Sequence, residues 1–326
     1  MSNMGNLRVP DPSKWKMNHT MIRVKDPARS IAFYRALGFS LIEKLPMPGS
    51  KFDLYFLGFD VQGKSPSAGK LRSDRQGLLE LTHNYGTELN ETYTVSNGNE
   101  APYLGFQHIG ITVDDVGRTI TNLPGHSIKV LERSKESQAQ RLASDHSRQV
   151  IVMDPDGYYV ELNSRLGTPI SASSTVGYNC FNSTGLRIKD PRMSLPWYSD
   201  ILGMSILQQV ECNGCSMYWL GYLDNDPERQ LLEREGMVKL IWIHGTELKE
   251  GKVYHNGNDQ PQGFGHLALA VDDITAACEY FEAKNVKWKK RLMDGRLKSI
   301  AFILDPDEYW IEIIQNARIK EPLGVQ

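Results

Sequence analysis

No sign of charge dominates this sequence, and no long apolar run interrupts it. Its 37 basic residues face 39 acidic ones, a formal net charge of −2, so the positive field on which nucleic-acid or anionic-membrane binding rests is missing. Nothing approaches the roughly 20 consecutive apolar residues that cross a bilayer. The opening stretch MSNMGNLRVPDPSKWK has no hydrophobic signal core. A cytoplasmic protein acting on a small molecule, with no nucleic-acid or membrane partner, is the expectation. Cysteines number 4, namely Cys180, Cys212, Cys215 and Cys278, all in the second half. That is no secreted disulfide framework, and a reducing compartment is expected. Cys212 and Cys215 spell CxxC, but no second CxxC or CxxH completes a zinc site, and the pair falls between two strand-like runs instead of opening a helix. It reads as a turn carrying two thiols.

What the sequence does have is repetition. At 326 residues it has room for two domains, and its halves match. TMIRVKDPARS from Thr20 lies over TGLRIKDPRMS from Thr184, GLLELTHNYGTE from Gly77 over GMVKLIWIHGTE from Gly236, and MDPDGYYVEL from Met153 over LDPDEYWIEI from Leu304. Each half repeats within itself more faintly: NHTMIRVKDPARSI from Asn18 lies over QHIGITVDDVGRTI from Gln107. Four modules follow. Between the halves, SRLGTPISASSTVG from Ser164 is small, polar and broken by Pro and Gly, which suits a linker.

Each module reads β-α-β-β-β, and the fold class is α+β. In the first, Met21, Ile22 and Val24 are strand-like. Asp26 offers an N-cap, and Pro27 takes the first helical position. Ile31, Tyr34 and Leu37 recur at helical spacing, and Gly38 ends the helix. The last module closes with a hairpin, SIAFIL and YWIEII around DPDE.

Two polar residues per module interrupt apolar strands. His19 opens one and Glu80 sits inside another; His266 and Glu312 repeat the pattern. Singly, a strand histidine reads as an ordinary hydrogen-bonded residue and a strand glutamate as a solvent-facing one. Recurrence at the start of the first strand and the middle of the last changes that reading. The pairs are His19 with Glu80, His108 with Glu161, Ser183 with Lys239, and His266 with Glu312. A buried carboxylate demands a cation, and two histidines with two carboxylates suit Zn²⁺, Ni²⁺, Fe²⁺, Mn²⁺ or Co²⁺ with positions left for substrate. One module supplies two ligands, so two modules must combine.

The strings NHTMIRVKDP, LELTHNYGTE, GFGHLALAVDD and DPDEYWIEI resemble glyoxalase I of the vicinal oxygen chelate superfamily, in its two-domain, monomeric fungal form, from about Asn18 to Gln315. The resemblance implies a glyoxalase fold of paired modules forming curved mixed sheets. Residues 1–17 become an N-terminal extension, 18–165 and 178–326 the two domains, and 166–177 the linker. It implies pairing of module one with four and of two with three. The first pairing assembles His19, Glu80, His266 and Glu312 around one divalent ion. The second assembles His108, Glu161, Ser183 and Lys239, where a lysine ammonium has no lone pair for a metal but would neutralise Glu161. One working site per chain is expected.

The activity implied is that of lactoylglutathione lyase, the isomerisation of the hemithioacetal of methylglyoxal and glutathione to S-D-lactoylglutathione. A Lewis-acidic ion stabilises the enediolate while a carboxylate moves the proton, Glu312 first and Glu80 second, each serving one epimer. Residue by residue, the resemblance assigns the glutathione cosubstrate to Arg23, Asn84, Lys290, Arg296 and the backbone near Leu297. Leu54 and Phe56, on one face of a strand, are candidates for the aldehyde pocket and equally for plain core. Where the family has an arginine four residues before the fourth-module histidine, this chain has Gln262. Two other readings stay open: an extradiol-type Fe²⁺ dioxygenase using two histidines and one carboxylate, against which a fourth ligand argues, and a metal-free binding protein of the same fold. Asn18-His-Thr also fits a glycosylation sequon, with nothing else pointing to secretion.

Overall fold

A computed structural model describes residues 10–62, 65–123, 149–165, 179–223, 229–295 and 297–317. The first module contributes β1 (Lys16–Arg23), α1 (Pro27–Ala36), β2 (Ser40–Met47), β3 (Phe52–Gly58) and β4 (Leu78–Asn84). The second contributes β5 (Phe106–Val113), α2 (Val116–Asn122), β6 (Gln149–Met153) and β7 (Tyr159–Ser164). In the third are β8 (Cys180–Ile188), α3 (Pro191–Asp200), β9 (Ser205–Cys212), β10 (Cys215–Gly221) and β11 (Met237–Ile243). The fourth holds β12 (Phe264–Val271), α4 (Ile274–Ala283), β13 (Trp288–Lys290), β14 (Ile300–Leu304) and β15 (Trp310–Gln315). The β-α-β-β-β order is complete in modules one, three and four; the remaining span of module two and the linker at 166–177 lie outside the described residues. The first strand begins at Lys16 and Trp15 is buried, so the end of the segment read as an extension already belongs to the fold.

Local chemistry sets these elements. Asp26 caps α1 by accepting from the amides of Ala28 and Arg29, Pro27 occupies the first turn, and Gly38 follows the helix at φ +101°. Asp115, Asp190 and Asp273 cap the other three helices among the described residues in the same way. Cys212 and Cys215 lie opposite each other across the β9–β10 hairpin, with Gly214 at φ +88° in its turn, and neither is in a disulfide.

Two mixed sheets result. One runs β13-β14-β15-β12-β1-β4-β3-β2 and the other β6-β7-β5-β8-β11-β10-β9. Modules one and four therefore share a sheet, as do two and three, so each half of the sequence feeds both sheets. The central strands β1, β8 and β12 are buried almost throughout, while β2 and β9 at the edges alternate between half-buried and exposed. The sheets meet back to back: Thr20 and Thr184 are hydrogen-bonded through their hydroxyls at 2.5 Å, and Phe106 stacks on Phe264. Tyr34 donates to Asp154 and Tyr198 to Asp305, tying each of α1 and α3 to the DPD turn of the opposite sheet at 3.0 and 2.9 Å. Since Thr20 faces the sheet-to-sheet contact, its neighbour His19 faces away from it, as strand alternation requires.

Candidate metal centre

The front of the first sheet is built from four adjacent strands. On β1, Met21 lies opposite His266 of β12 and opposite Glu80 of β4, while Ala268 of β12 lies opposite both His19 and Glu312 of β15. His19, Glu80, His266 and Glu312 thus share one face, and one ligating atom from each comes within 4.8 Å of all the others. The contributors come from distant parts of the chain: His19 and His266 alone are 247 residues apart in sequence, and Glu312 lies further still.

The spacing of these atoms is that of a coordination shell. His19 Nε2 lies 3.0 Å from Glu80 Oε2, 3.2 Å from Glu312 Oε2 and 3.3 Å from His266 Nε2, which is itself 3.4 Å from Glu312 Oε2. Bonds of about 2.0–2.2 Å to a common ion give donor-to-donor edges of roughly 2.8–3.6 Å in octahedral or tetrahedral geometry. Two imidazole nitrogens 3.3 Å apart leave room for one proton between them, and two buried carboxylates on one spot repel. A divalent cation resolves both. The electrostatics agree: burial alone would lower the pKa of His19, but hydrogen bonds to Glu312 and Glu80 raise it to about 9. Burial likewise pushes Glu312 upward, and its hydrogen bonds to His19 and His266 hold it far below the usual carboxylate range instead. Glu312 is thus poised as an anion seeking positive charge.

Packing around the centre follows the internal symmetry. Phe56 stands opposite Glu80 and Phe302 opposite Glu312, and each ring packs edge-on against an imidazole, His19 and His266 respectively, with centroids 5.3 Å apart. Phe302 escaped the sequence reading because β14 is a continuous apolar run. Thr82, also missed, donates to Glu80 Oε1 at 3.0 Å; a threonine in a strand carries no signal of such a bond.

The profile of the Glyoxalase/Bleomycin resistance protein/Dioxygenase superfamily matches residues 16–162 and again 181–313. A protein of Schizosaccharomyces pombe named lactoylglutathione lyase is 40% identical over 310 residues, 94% of this chain and 98% of its own length. Glyoxalase I of Saccharomyces cerevisiae is 38% identical over 314 residues, 93% of each. The chain belongs to the glyoxalase family. Its glyoxalase fold also resembles the crystal structure of glyoxalase I from Zea mays, with a TM-score of 0.66 over 93% of each chain at 23% identity.

In this glyoxalase chain the second sheet repeats the frame with different chemistry. His108, Glu161, Ser183 and Lys239 take the corresponding strand positions and are all buried. Lys239 Nζ donates to both oxygens of Glu161 at 3.1 Å and lies 4.9 Å from the centre of the Trp219 ring. Burial pushes Glu161 up, but the charges of His108 and Lys239 pull it down to about 2. Burial lowers His108 to about 3, with Lys239 and Arg187 reinforcing the shift, so its ring is neutral at ordinary pH. Lysine is the resident cation here. Neither His108 Nε2 nor Ser183 Oγ has a hydrogen-bond partner among the described residues.

Of the residues matched to glutathione contacts, Arg23 and Lys290 lie within electrostatic reach of the first centre. Arg23 holds Asn258 Oδ1 at 2.9 Å and feels the field of Glu80. Lys290 donates to the carbonyls of Leu297 and Ile300 at 2.6 and 2.7 Å and feels Glu312. Asn84 is half-buried at the end of β4, and Leu297 is exposed. Arg296 lies outside the described residues. Leu54 and Phe56 face the same side of β3, opposite Thr82 and Glu80. Phe56 also carries the Arg72 guanidinium 4.4 Å above its ring, a contact the sequence did not suggest. Gln262 donates to the Asn258 carbonyl at 3.1 Å.

Proposed function

We propose that this chain is a lactoylglutathione lyase with one working centre, in which His19, Glu80, His266 and Glu312 hold one divalent ion, Zn²⁺ being the first candidate. The observation that carries the reading is the convergence of two imidazoles and two carboxylates at coordination-shell spacing on one face of the shared sheet. When bound there, the ion supplies Lewis acidity toward the two oxygens of the hemithioacetal and makes the adjacent C–H more acidic.

The protein's own groups do the rest. Glu312 takes the proton from one carbon and returns it to its neighbour, with Glu80 serving the opposite epimer. The difference between the two carboxylates supports this order. Glu80 is held at both oxygens, by Thr82 on Oε1 and His19 on Oε2, whereas the contacts of Glu312 with His19 and His266 both fall on Oε2. Position 314, the counterpart of Thr82, is an isoleucine. An oxygen free of such a tether is better placed to swing toward a substrate carbon. Phe56, Phe302 and Leu54 exclude water from the face on which the proton travels.

Arg23, Asn84, Lys290, Arg296 and the backbone near Leu297 bind the glutathione carboxylates and amides. With a neutral Gln262 in the arginine position of the family, the charged contacts fall to Arg23, Lys290 and Arg296. One chain supplies all four metal ligands, which supports an enzyme working as a monomer, and four cysteines outside any disulfide suit a reducing, cytoplasmic compartment. Glu312→Gln tests the assignment: the variant should retain its ion but lose turnover of methylglyoxal with glutathione, read as thioester formation. Near-normal turnover would refute it, and oxygen uptake in the same assay would favour a dioxygenase.

A further inference from the structure

Asn18 is a residue that strand alternation ought to turn away from His19, since neighbours in a strand point to opposite faces. The register of β1 against β12 steps from Met17–Leu269 directly to His19–Ala268, so Asn18 is the extra residue of a β-bulge. The same displacement recurs at Gln107, Asn182 and Gly265, each immediately before the first-strand position of its module. A bulge releases the extra residue from alternation and re-aims its side chain. At Asn18, which is fully buried, the result is a hydrogen bond between Oδ1 and His19 Nδ1 at 2.7 Å.

The orientation of that amide follows from chemistry alone. Its other end faces the carbonyls of Arg72 and Arg75, each 2.8 Å away. Carbonyl oxygens only accept, so the atom facing them must be the NH₂ group, and a flipped amide would set three oxygens against one another. Oδ1 must then face the imidazole. An amide oxygen only accepts as well, so His19 Nδ1 must carry a proton, and in the neutral ring that can bind a metal the lone pair is left on Nε2, the atom that points at Glu80, Glu312 and His266.

We infer that Asn18 is a positioning residue for the metal centre: its twice-anchored amide fixes the tautomer and ring orientation of His19, presenting Nε2 to the ion. This rests on the reading of His19 as a metal ligand. The third module provides an internal control. Asn182 makes the same two anchoring bonds, to the carbonyls of Leu231 and Arg234 at 2.8 and 3.0 Å, next to Ser183 in place of a histidine. Whatever Asn18 contributes to holding the loop before β4 onto β1, Asn182 contributes to the loop before β11. What Asn18 does beyond that is done to His19.

The experiment measures metal affinity by competition with a chelator, using Zn²⁺ on the full chain, for Asn18→Ala, Asn18→Asp, Asn182→Ala and His266→Ala. Removing an outer partner of a metal ligand typically costs 10–100-fold in affinity, and Asn18→Ala should lose about that much while Asn182→Ala binds as the wild type does. Asn18→Asp keeps an acceptor toward Nδ1 while giving up the anchoring bonds, so it should bind more tightly than Asn18→Ala. In ¹⁵N spectra of the zinc-bound protein, the wild-type His19 should show the Nδ1–H form. Unchanged affinity in Asn18→Ala, or an equal loss in Asn182→Ala, would overturn the inference. Tight zinc binding that survives His266→Ala would instead overturn the metal centre itself, so the two failures are distinguishable.

Discussion

Lys239→Met takes the positive charge away from a carboxylate that has almost no contact with water, Glu161 being 4% exposed and Lys239 fully buried. Removing one partner of a buried ion pair typically destabilises by about 3–5 kcal/mol, because the remaining charge is left uncompensated. An unfolding entropy of roughly 2 cal/mol/K per residue over a chain of this length turns about 4 kcal/mol into a Tm drop of roughly 6 °C. The pH dependence carries the diagnosis. In the native protein Glu161 titrates near 2, below its unfolded value, so its stabilising contribution is present above about pH 4.5 and is lost as pH falls through 2. Without Lys239, burial drives Glu161 upward, so the carboxylate takes up a proton when folded. The deficit of the variant should therefore be largest near pH 8 and shrink toward pH 5. Glu161→Gln in the Lys239→Met background removes the stranded charge, and the double variant should recover most of the loss with little dependence on pH. Thermal and urea unfolding of the three proteins at pH 5 and 8 measure this. A Lys239→Met protein as stable as the wild type at pH 8, or a double variant no better than the single, would refute the view of Lys239 as the resident cation of the second sheet.

Metal analysis should find one tightly bound ion per chain in the wild type and none in His266→Ala. Ser183→His combined with Lys239→Glu restores the ligand set on an intact frame and should raise the count to two; a count that stays at one would mean that the second frame differs in more than its side chains. Gly236 sits at φ +66° with Met17 O only 2.6 Å from where a Cβ would be, so Gly236→Ala should cost at least about 1–3 kcal/mol in urea unfolding, and a neutral result would contradict the tight sheet-to-sheet contact. Cys180 is buried and its thiol is pushed up to about 12, so at pH 8 it should react with a thiol reagent only after unfolding.

Much of this protein could be read from the chain because its signals are local and repeated. The Asp26 cap, the helical apolar spacing in α1 and the glycine past its end act over a few residues, and in the structure the cap and the glycine stand where the sequence put them. Repetition also set His19, Glu80, His266 and Glu312 apart from ordinary strand residues, and the replacement of two of their counterparts by Ser183 and Lys239 marked the second set as different before any geometry was available. The modules had to pair, and resemblance supplied which with which; burial and backbone pairing carry that pairing out, by joining β1 to β12 across most of the chain. Tertiary structure decided what no local signal encodes: the bulge that turns Asn18 toward His19, the Thr82 tether on Glu80, the edge-on packing of Phe302, and the twofold contact between Lys239 and Glu161. Propensity and capping act over a turn or two of backbone, whereas a side chain's partner across a sheet depends on a register set by the burial of every strand at once.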